Sequence, residues 1–117
     1  MPFKFENLNV WHRSLDLSEE VNELVKSFPS FEFQNLSLQM RRAADSVSLN
    51  IAEGCTGQSN REFARFLNYS IRSALEVVGC LFLANRKKYI QKERFDHFYL
   101  QYESLVKMLT ALRQSLN

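Results

Sequence analysis

The sequence predicts an all-α fold, an antiparallel up-down-up-down four-helix bundle forming a single domain over residues 1–117. Three observations carry this. Apolar residues recur at three- and four-residue steps in four separate segments, the period of helices that bury one face. The chain holds only three Gly and two Pro, so few positions interrupt a helix. The stretches left between the segments are short, which favours antiparallel neighbours. With 45% hydrophobic and 24% charged residues, the composition can pay for an ordered core and disfavours disorder.

The first helix is expected over Asn7 to Phe28, with Trp11, Leu15, Val21, Leu24, Val25 and Phe28 as its core stripe and Ser18 filling a gap. Asn7 or Asn9 can cap its start by accepting a backbone N–H bond, and Pro29 ends it. In the linker Ser30 to Asn35, Phe31 and Phe33 are expected to fold back over the end of the core. The second helix reads from Leu36 to Gly54, capped by Asn35 and stopped by Gly54. Its core face is Leu36, Met40, Ala43, Ala44, Val47 and Ile51.

A turn follows over Cys55 to Ser59. Ser59 and Glu62 make a capping box, in which each side chain satisfies a backbone N–H at the start of the third helix. That helix should run from Asn60 to about Lys87, burying Phe63, Phe66, Leu67, Ser70, Ala74, Val77, Val78 and Leu81. The fourth, Gln91 to Leu116, has Phe95, Phe98, Tyr102, Leu105, Leu109, Leu112 and Leu116 at alternating three- and four-residue steps, a coiled-coil-like seam.

Two polar patterns stand apart from these core faces. On the second helix Gln39, Arg42, Ser46, Asn50 and Glu53 form a row along one flank, the spacing of a helix–helix seam; outside it, Leu38 and Leu49 lie on the outer side. On the third, Arg61, Arg65, Asn68 and Arg72 point the same way at about 100° per residue. That stripe is either a solvated surface or an anion-binding face, for which the planar guanidinium fork suits phosphate. Arg86, Lys87 and Lys88 add positive charge at the end of the third helix, where they also complement its dipole.

Catalytic and metal chemistry find little footing. Di-iron bundles need Glu-x-x-His pairs, whereas His12 is preceded three places back by Asn9 and His97 by Arg94. Cys55 and Cys80 lack the close spacing of zinc ligands, and Gly54 and Gly57 do not form a phosphate-binding loop. Glu53, Glu62 and Glu76 could in principle cooperate, but caps and bundle salt bridges are the simpler expectation for them. The expectation is therefore no catalytic residue, no metal, no cofactor and not an enzyme. The unpaired cysteines and the absence of a secretory pattern suggest a reduced, cytoplasmic protein. No apolar run approaches the roughly 18 residues of a membrane span, so no membrane partner is expected. A net charge of +2 is too small to declare a nucleic-acid partner for a monomer.

The run Leu36-x-x-Gln39-x-Arg41-Arg42-Ala43-Ala44-x-Ser46-Val47-x-x-Asn50-Ile51-Ala52-Glu53-Gly54, then Glu62-Phe63-x-x-Phe66-Leu67 and Ser73-x-x-Glu76, resembles the bacterial four helix bundle proteins known as 23S rRNA intervening-sequence proteins. Leu8-x-Val10-Trp11 and Lys107-Met108-Leu109 extend the likeness over nearly the whole chain. The resemblance implies a left-handed bundle that assembles as a homopentamer. That family is similar to the accessory protein of diversity-generating retroelements, a basic pentameric barrel that binds nucleic acid and a reverse transcriptase. The chain departs from the family pattern at Asn35, where Gly is usual, at Ser48, near which Pro is usual, and at Arg72-Ser73, where a Gly-Ser pair is usual.

Two functional readings follow. In the first, a homo-oligomer contacts RNA or DNA phosphates through Arg61, Arg65, Arg72, Arg86, Lys87 and Lys88. In the second, the same assembly is a scaffold for another protein without nucleic acid, with Leu38 and Leu49 at an interface. The row Gln39, Arg42, Ser46, Asn50 and Glu53 is assigned to assembly or to an internal polar network.

Overall fold

In the computed structural model, which describes residues 2–57 and 59–117, four helices alternate in direction. They are α1 (Asn9–Val25), α2 (Leu36–Cys55), α3 (Asn60–Arg86) and α4 (Lys92–Ser115). Among the described residues α1 packs on α2, α2 on α3, α3 on α4 and α4 back on α1, while the diagonal pairs do not meet. That is the four-helix bundle expected. Its dimensions of 43 × 22 × 22 Å follow from α3, whose 27 residues rise about 40 Å at 1.5 Å each.

The core of α2 matches its predicted face: Leu36, Met40, Ala43, Ala44, Val47 and Ile51 are all buried. On α4, Phe98, Tyr102, Leu105 and Leu109 are buried, while Phe95, Leu112 and Leu116 pack half-covered at the ends. On α3, Leu67, Ser70, Ala74, Val77 and Leu81 are buried, joined by Cys80 and Ala84; Phe63, Phe66 and Val78 are half-buried. Burial of each large aliphatic side chain contributes about 1.5–3 kcal/mol relative to exposure.

The phase of α1 differs from expectation. Its inward residues are Val10, Ser14, Leu17, Val21, Leu24 and Val25, while Leu15 is exposed and Trp11 half-buried. Ser14 rather than Ser18 fills the polar gap, and its hydroxyl donates to the Trp11 carbonyl at 2.6 Å. Ser18 instead donates to Asp45 on α2 at 2.5 Å. Neither Asn7 nor Asn9 caps the helix. A 3-10 turn at Lys4–Asn7 leads into it, and the Leu8 carbonyl takes the amides of Trp11 and His12.

The linker between α1 and α2 reverses another expectation. Phe31 and Phe33 lie in solvent, 75% and 60% exposed, whereas Glu32 between them is buried. A 3-10 turn over Ser30–Glu32 advances about 120° per residue, so neighbouring side chains cannot share a direction. Here the inward one is the carboxylate.

Gly54 is not a stop. α2 continues through it to Cys55, and its φ is not positive. A Cβ there would lie 2.5 Å from Phe66 Cβ and 3.1 Å from Phe63 Cδ1, so glycine is required by the close approach of α3. Beyond it Ser59 accepts the Glu62 amide at 3.1 Å, one half of the capping box; the Glu62 carboxylate turns to Arg65 instead. Gln58, in the same turn, lies outside the described residues.

By length and composition α3 is apolar enough to cross a membrane, with an 18-residue window of mean hydropathy 1.3. Arg72 and Glu76 interrupt its apolar residues, so no unbroken run announces it in the sequence. Only 33% of that window is buried in the bundle.

Two substitutions test the packing. Gly54→Ala should destabilise the bundle by about 1–3 kcal/mol, the cost of forcing a methyl group into a filled core, read as a lower urea midpoint. The Tyr102 hydroxyl, enclosed at the centre, has no hydrogen-bond partner among the described residues, and burial pushes its phenol well above the ordinary range. Removing an unsatisfied buried hydroxyl leaves nothing orphaned, so Tyr102→Phe should equal or exceed the parent in thermal midpoint.

Candidate nucleic-acid interface

The flank row of α2 divides. Ser46 and Asn50 are locked inside the subunit: Asn50 Nδ2 donates to the Ser46 carbonyl at 2.8 Å and to its hydroxyl at 2.9 Å, and Ser73 of α3 donates to that hydroxyl at 2.9 Å. One turn further, the Ser70 hydroxyl donates to the Val47 carbonyl at 2.9 Å. Gln39 reaches Glu76 of α3 at 3.3 Å. These residues stitch α2 to α3. Arg42 and Glu53 are exposed, and among the described residues neither forms a side-chain hydrogen bond or ion pair. Arg42 lies on the wall of an open groove of about 520 Å³ between the two helices, with Gln39, Ser46, Ser73 and Glu76.

The arginines of α3 share one outward face, but they are not equivalent. Arg65 pairs with Glu62, donates to the Tyr69 hydroxyl at 3.0 Å, and stacks on Phe66 and Tyr69 at 5.2 and 5.6 Å. Its charge is largely answered within the chain. Arg61 and Arg72 are exposed and have no ion pair among the described residues. Asn68, between them, accepts from Arg113 of α4 at 2.5 Å.

Arg86, Lys87 and Lys88 stand apart, about 21 Å along α3 from Arg72 at 1.5 Å per residue. The six predicted contacts therefore form two separate clusters rather than one continuous patch. The second cluster is first of all a helix terminus. Lys88 adopts φ 64°, and the amides of Lys88 and Tyr89 return to the carbonyls of Asn85 and Ala84 at 3.0 and 2.9 Å, a Schellman close. This swings Tyr89 over the α1–α2 linker.

There the Tyr89 hydroxyl donates to Glu32 at 2.8 Å. Glu32 also accepts from Asn35 Nδ2 at 2.9 Å and from the Leu36 amide at 3.3 Å, and the Lys87 ammonium stands 3.8 Å away. Asn35 occupies the N-cap position of α2 as expected, but its side chain makes no capping bond; it holds the Glu32 carboxylate, which takes the Leu36 amide. Lys87 is drawn to this buried charge rather than left free for a ligand. Nothing in the local sequence signals the junction, because Glu32 and Tyr89 lie 57 positions apart.

No cluster of three His, Cys, Asp or Glu side chains suited to a metal occurs among the described residues. His12 bonds the Glu6 carbonyl and His97 bridges to Glu20, each at 2.7 Å. Both thiols are free. Burial pushes Cys80 up to about 11, with Glu76 adding to it, and burial also raises Cys55. Neither is an activated nucleophile.

A family model for 23S rRNA-intervening sequence proteins matches residues 6–111. No curated protein matches the chain. Among solved structures, one from Bacteroides thetaiotaomicron, described as a protein of unknown function from the S23 ribosomal protein family, superposes with a TM-score of 0.83 at 25% identity, covering 90% of this chain and 95% of that one.

The Glu32 junction should make stability depend on pH. Chiefly the Tyr89 hydrogen bond, with help from the Leu36 amide, Asn35 and Lys87, holds this carboxyl below its ordinary value against the opposing effect of burial. A carboxylate whose folded pKa is depressed binds its proton less readily folded than unfolded. Its contribution is thus complete above the unfolded value of about 4.3 and is lost as pH falls through the lower folded value. Glu32→Gln should lower the urea midpoint at pH 7 and reduce the difference between midpoints at pH 7 and pH 3. An equal pH dependence in the variant would refute this role.

Proposed function

The chain belongs to the 23S rRNA-intervening sequence protein family, and from this premise we propose that it works as a homo-oligomer, a pentamer by the resemblance, that holds nucleic acid through phosphate contacts. The observation that carries the reading is the pair Arg61 and Arg72, exposed on the outward face of α3 with no carboxylate partner among the described residues. Each such contact is weak by itself. Repetition around an assembly turns weak single contacts into useful avidity, and a guanidinium binds two phosphate oxygens at once. Arg86 and Lys88 provide a second, more distant contact, and Arg65 and Lys87 contribute less because Glu62 and Glu32 already engage them. No base readout and no catalytic step belong to this reading.

One observation favours a second reading, a protein-interaction scaffold without nucleic acid. Past Arg72 the outward face of α3 becomes apolar, with Leu75, Phe82 and Leu83 about half exposed, which suits protein contact better than phosphate.

Fluorescence anisotropy with single-stranded RNA and with duplex DNA between 50 and 300 mM salt separates the two. Phosphate contact predicts an affinity that falls steeply with salt, with a logarithmic slope of about 0.7 per contacted phosphate on a single strand. Arg61→Ala with Arg72→Ala should weaken binding at least about tenfold and flatten that slope, with the mass in solution unchanged. Absence of binding at 50 mM salt would leave the scaffold.

A further inference from the structure

We propose that the end of the bundle where α1 turns into α2 takes unpaired, single-stranded nucleic acid, its bases stacked on Phe31 and Phe33 and its phosphates held by Arg41, Arg86 and Lys88. This rests on the nucleic-acid reading above and specifies the form of strand and the surface that meets its bases.

The site starts from the inversion in the linker. Phe31 and Phe33 are exposed while Glu32 between them is buried. Isolated phenylalanines on a surface are ordinary, but these two share one short turn, and that turn is held in place. The Glu32 amide donates to the Pro29 carbonyl at 2.9 Å, the Phe33 amide to the Ser30 carbonyl at 3.1 Å and the Asn35 amide to the Glu32 carbonyl at 2.9 Å. From the inner side the Glu32 carboxylate is fixed by Tyr89, Asn35 and the Leu36 amide. Burying a phenyl ring is favourable by itself, so two rings held outside by the turn's own hydrogen bonds are apolar area left for a ligand. Rings supported in this way lose little freedom when a flat group stacks on them.

The surroundings select the ligand. The Arg41 guanidinium lies over the Phe33 ring, 5.3 Å from its centroid. The Glu32 junction, through the Tyr89 hydroxyl and the Lys87 ammonium, brings the turn between α3 and α4 to the same end. Arg86 and Lys88, on either side of Lys87, therefore stand at this end too, where the bundle is 22 Å across. Both are exposed, and among the described residues neither they nor Arg41 form an ion pair. Of the carboxylates nearby, Glu23 is paired with Lys26 and Asp96 with Lys92, each at 2.8 Å, which leaves Glu93 in the first turn of α4. The balance is cationic.

Exposed aromatic rings set among cations match a base and its phosphate. A phenyl ring stacks on any base, whatever its identity, and a guanidinium binds two phosphate oxygens at once. In a duplex each internal base is already stacked on its neighbours and closed to a side chain, whereas an unpaired strand leaves its bases open. The rings thus favour single strands, while Arg61 and Arg72 on α3 meet only phosphates, which both forms carry.

The test compares three probes by fluorescence anisotropy at 50 mM salt: oligothymidine of about eight nucleotides, an abasic strand with the same phosphates, and a DNA duplex. The parent should bind oligothymidine at least about fivefold more tightly than the abasic strand. Phe31→Ala with Phe33→Ala should remove that difference while leaving duplex affinity and the salt slope unchanged, and Phe31→Tyr with Phe33→Tyr should keep it. Arg86→Ala with Lys88→Ala should weaken both single strands alike and flatten the slope. Salt-dependent binding with equal affinity for the base-bearing and abasic strands, or a difference that survives loss of both rings, overturns the stacking site and leaves the phosphate reading intact. Absence of binding to every probe overturns both, and flotation with anionic phospholipid vesicles that needs Phe31 and Phe33 would then assign the rings to a lipid surface. If circular dichroism shows that the double alanine variant does not fold, Phe31→Ala and Phe33→Ala taken singly give the same comparison.

Discussion

The close approach of α2 and α3 is the constraint on which the rest of the bundle depends. Small side chains make it possible. Ala43, Ala44 and Val47 of α2 face Ser70 and Ala74 of α3, all buried, and Gly54 lies under Phe66. At this spacing a hydroxyl of one helix reaches the backbone or side chain of the other, so Ser70 finds the Val47 carbonyl and Ser73 finds Ser46. Polar groups buried at such a seam stabilise it only if they are satisfied, and these are. The same pairs fix the register of the two helices, because a slide of one residue would separate every hydroxyl from its acceptor. Once α2 and α3 are fixed, α1 and α4 need only cover the remaining apolar faces. They meet through polar bridges, Arg13 to Gln101 and Glu20 to His97.

The seam also explains which parts of the fold were legible in the sequence. On α2 the six residues of the predicted core face form one narrow stripe, and all six are buried. On α1 the apolar residues are spread over a wider arc, so the choice between Leu15 and Leu17 rests on where α2 and α4 lie, and single-sequence periodicity selected the wrong one. The linker failed for a different reason. Aromatic side chains are usually the buried ones, but a buried carboxylate that receives three hydrogen bonds can hold the inward position when a phenol arrives from a distant turn to complete its shell. Gly54 was visible as important, yet its importance came from a neighbour across the seam rather than from its own backbone angles.

The candidate site was read less completely than the fold. The spacing of Arg61, Arg65 and Arg72 placed them correctly on one face, but not the local partners that answer Arg65, although Glu62 and Tyr69 stand at helical contact distance from it in sequence. Arg86, Lys87 and Lys88 were grouped with them by charge alone. Geometry sets them far along the helix, where one closes the helix in a left-handed conformation and another faces a buried carboxylate. The flank row of α2 needed the partner helix to be understood: Gln39, Ser46 and Asn50 belong to the seam, while Arg42 and Glu53 face outward.

The outward face of α3 carries both exposed arginines and exposed leucines. Counting 100° per residue from Arg61 through Arg72 leads on to Leu75, Gly79 and Leu83, so the cationic and apolar stretches are successive parts of one face. A helix in the interior of a bundle must serve its core side first, and α3 does so with Leu67, Ala74, Val77 and Leu81. Its outer side is then free of folding demands, and an exposed glycine beside exposed leucines is a costly composition for a surface that meets only water. The residues that stabilise the single bundle therefore do not account for the whole helix. What remains is the outer length of α3 from Arg61 to Arg86, cationic at its start and apolar beyond Arg72.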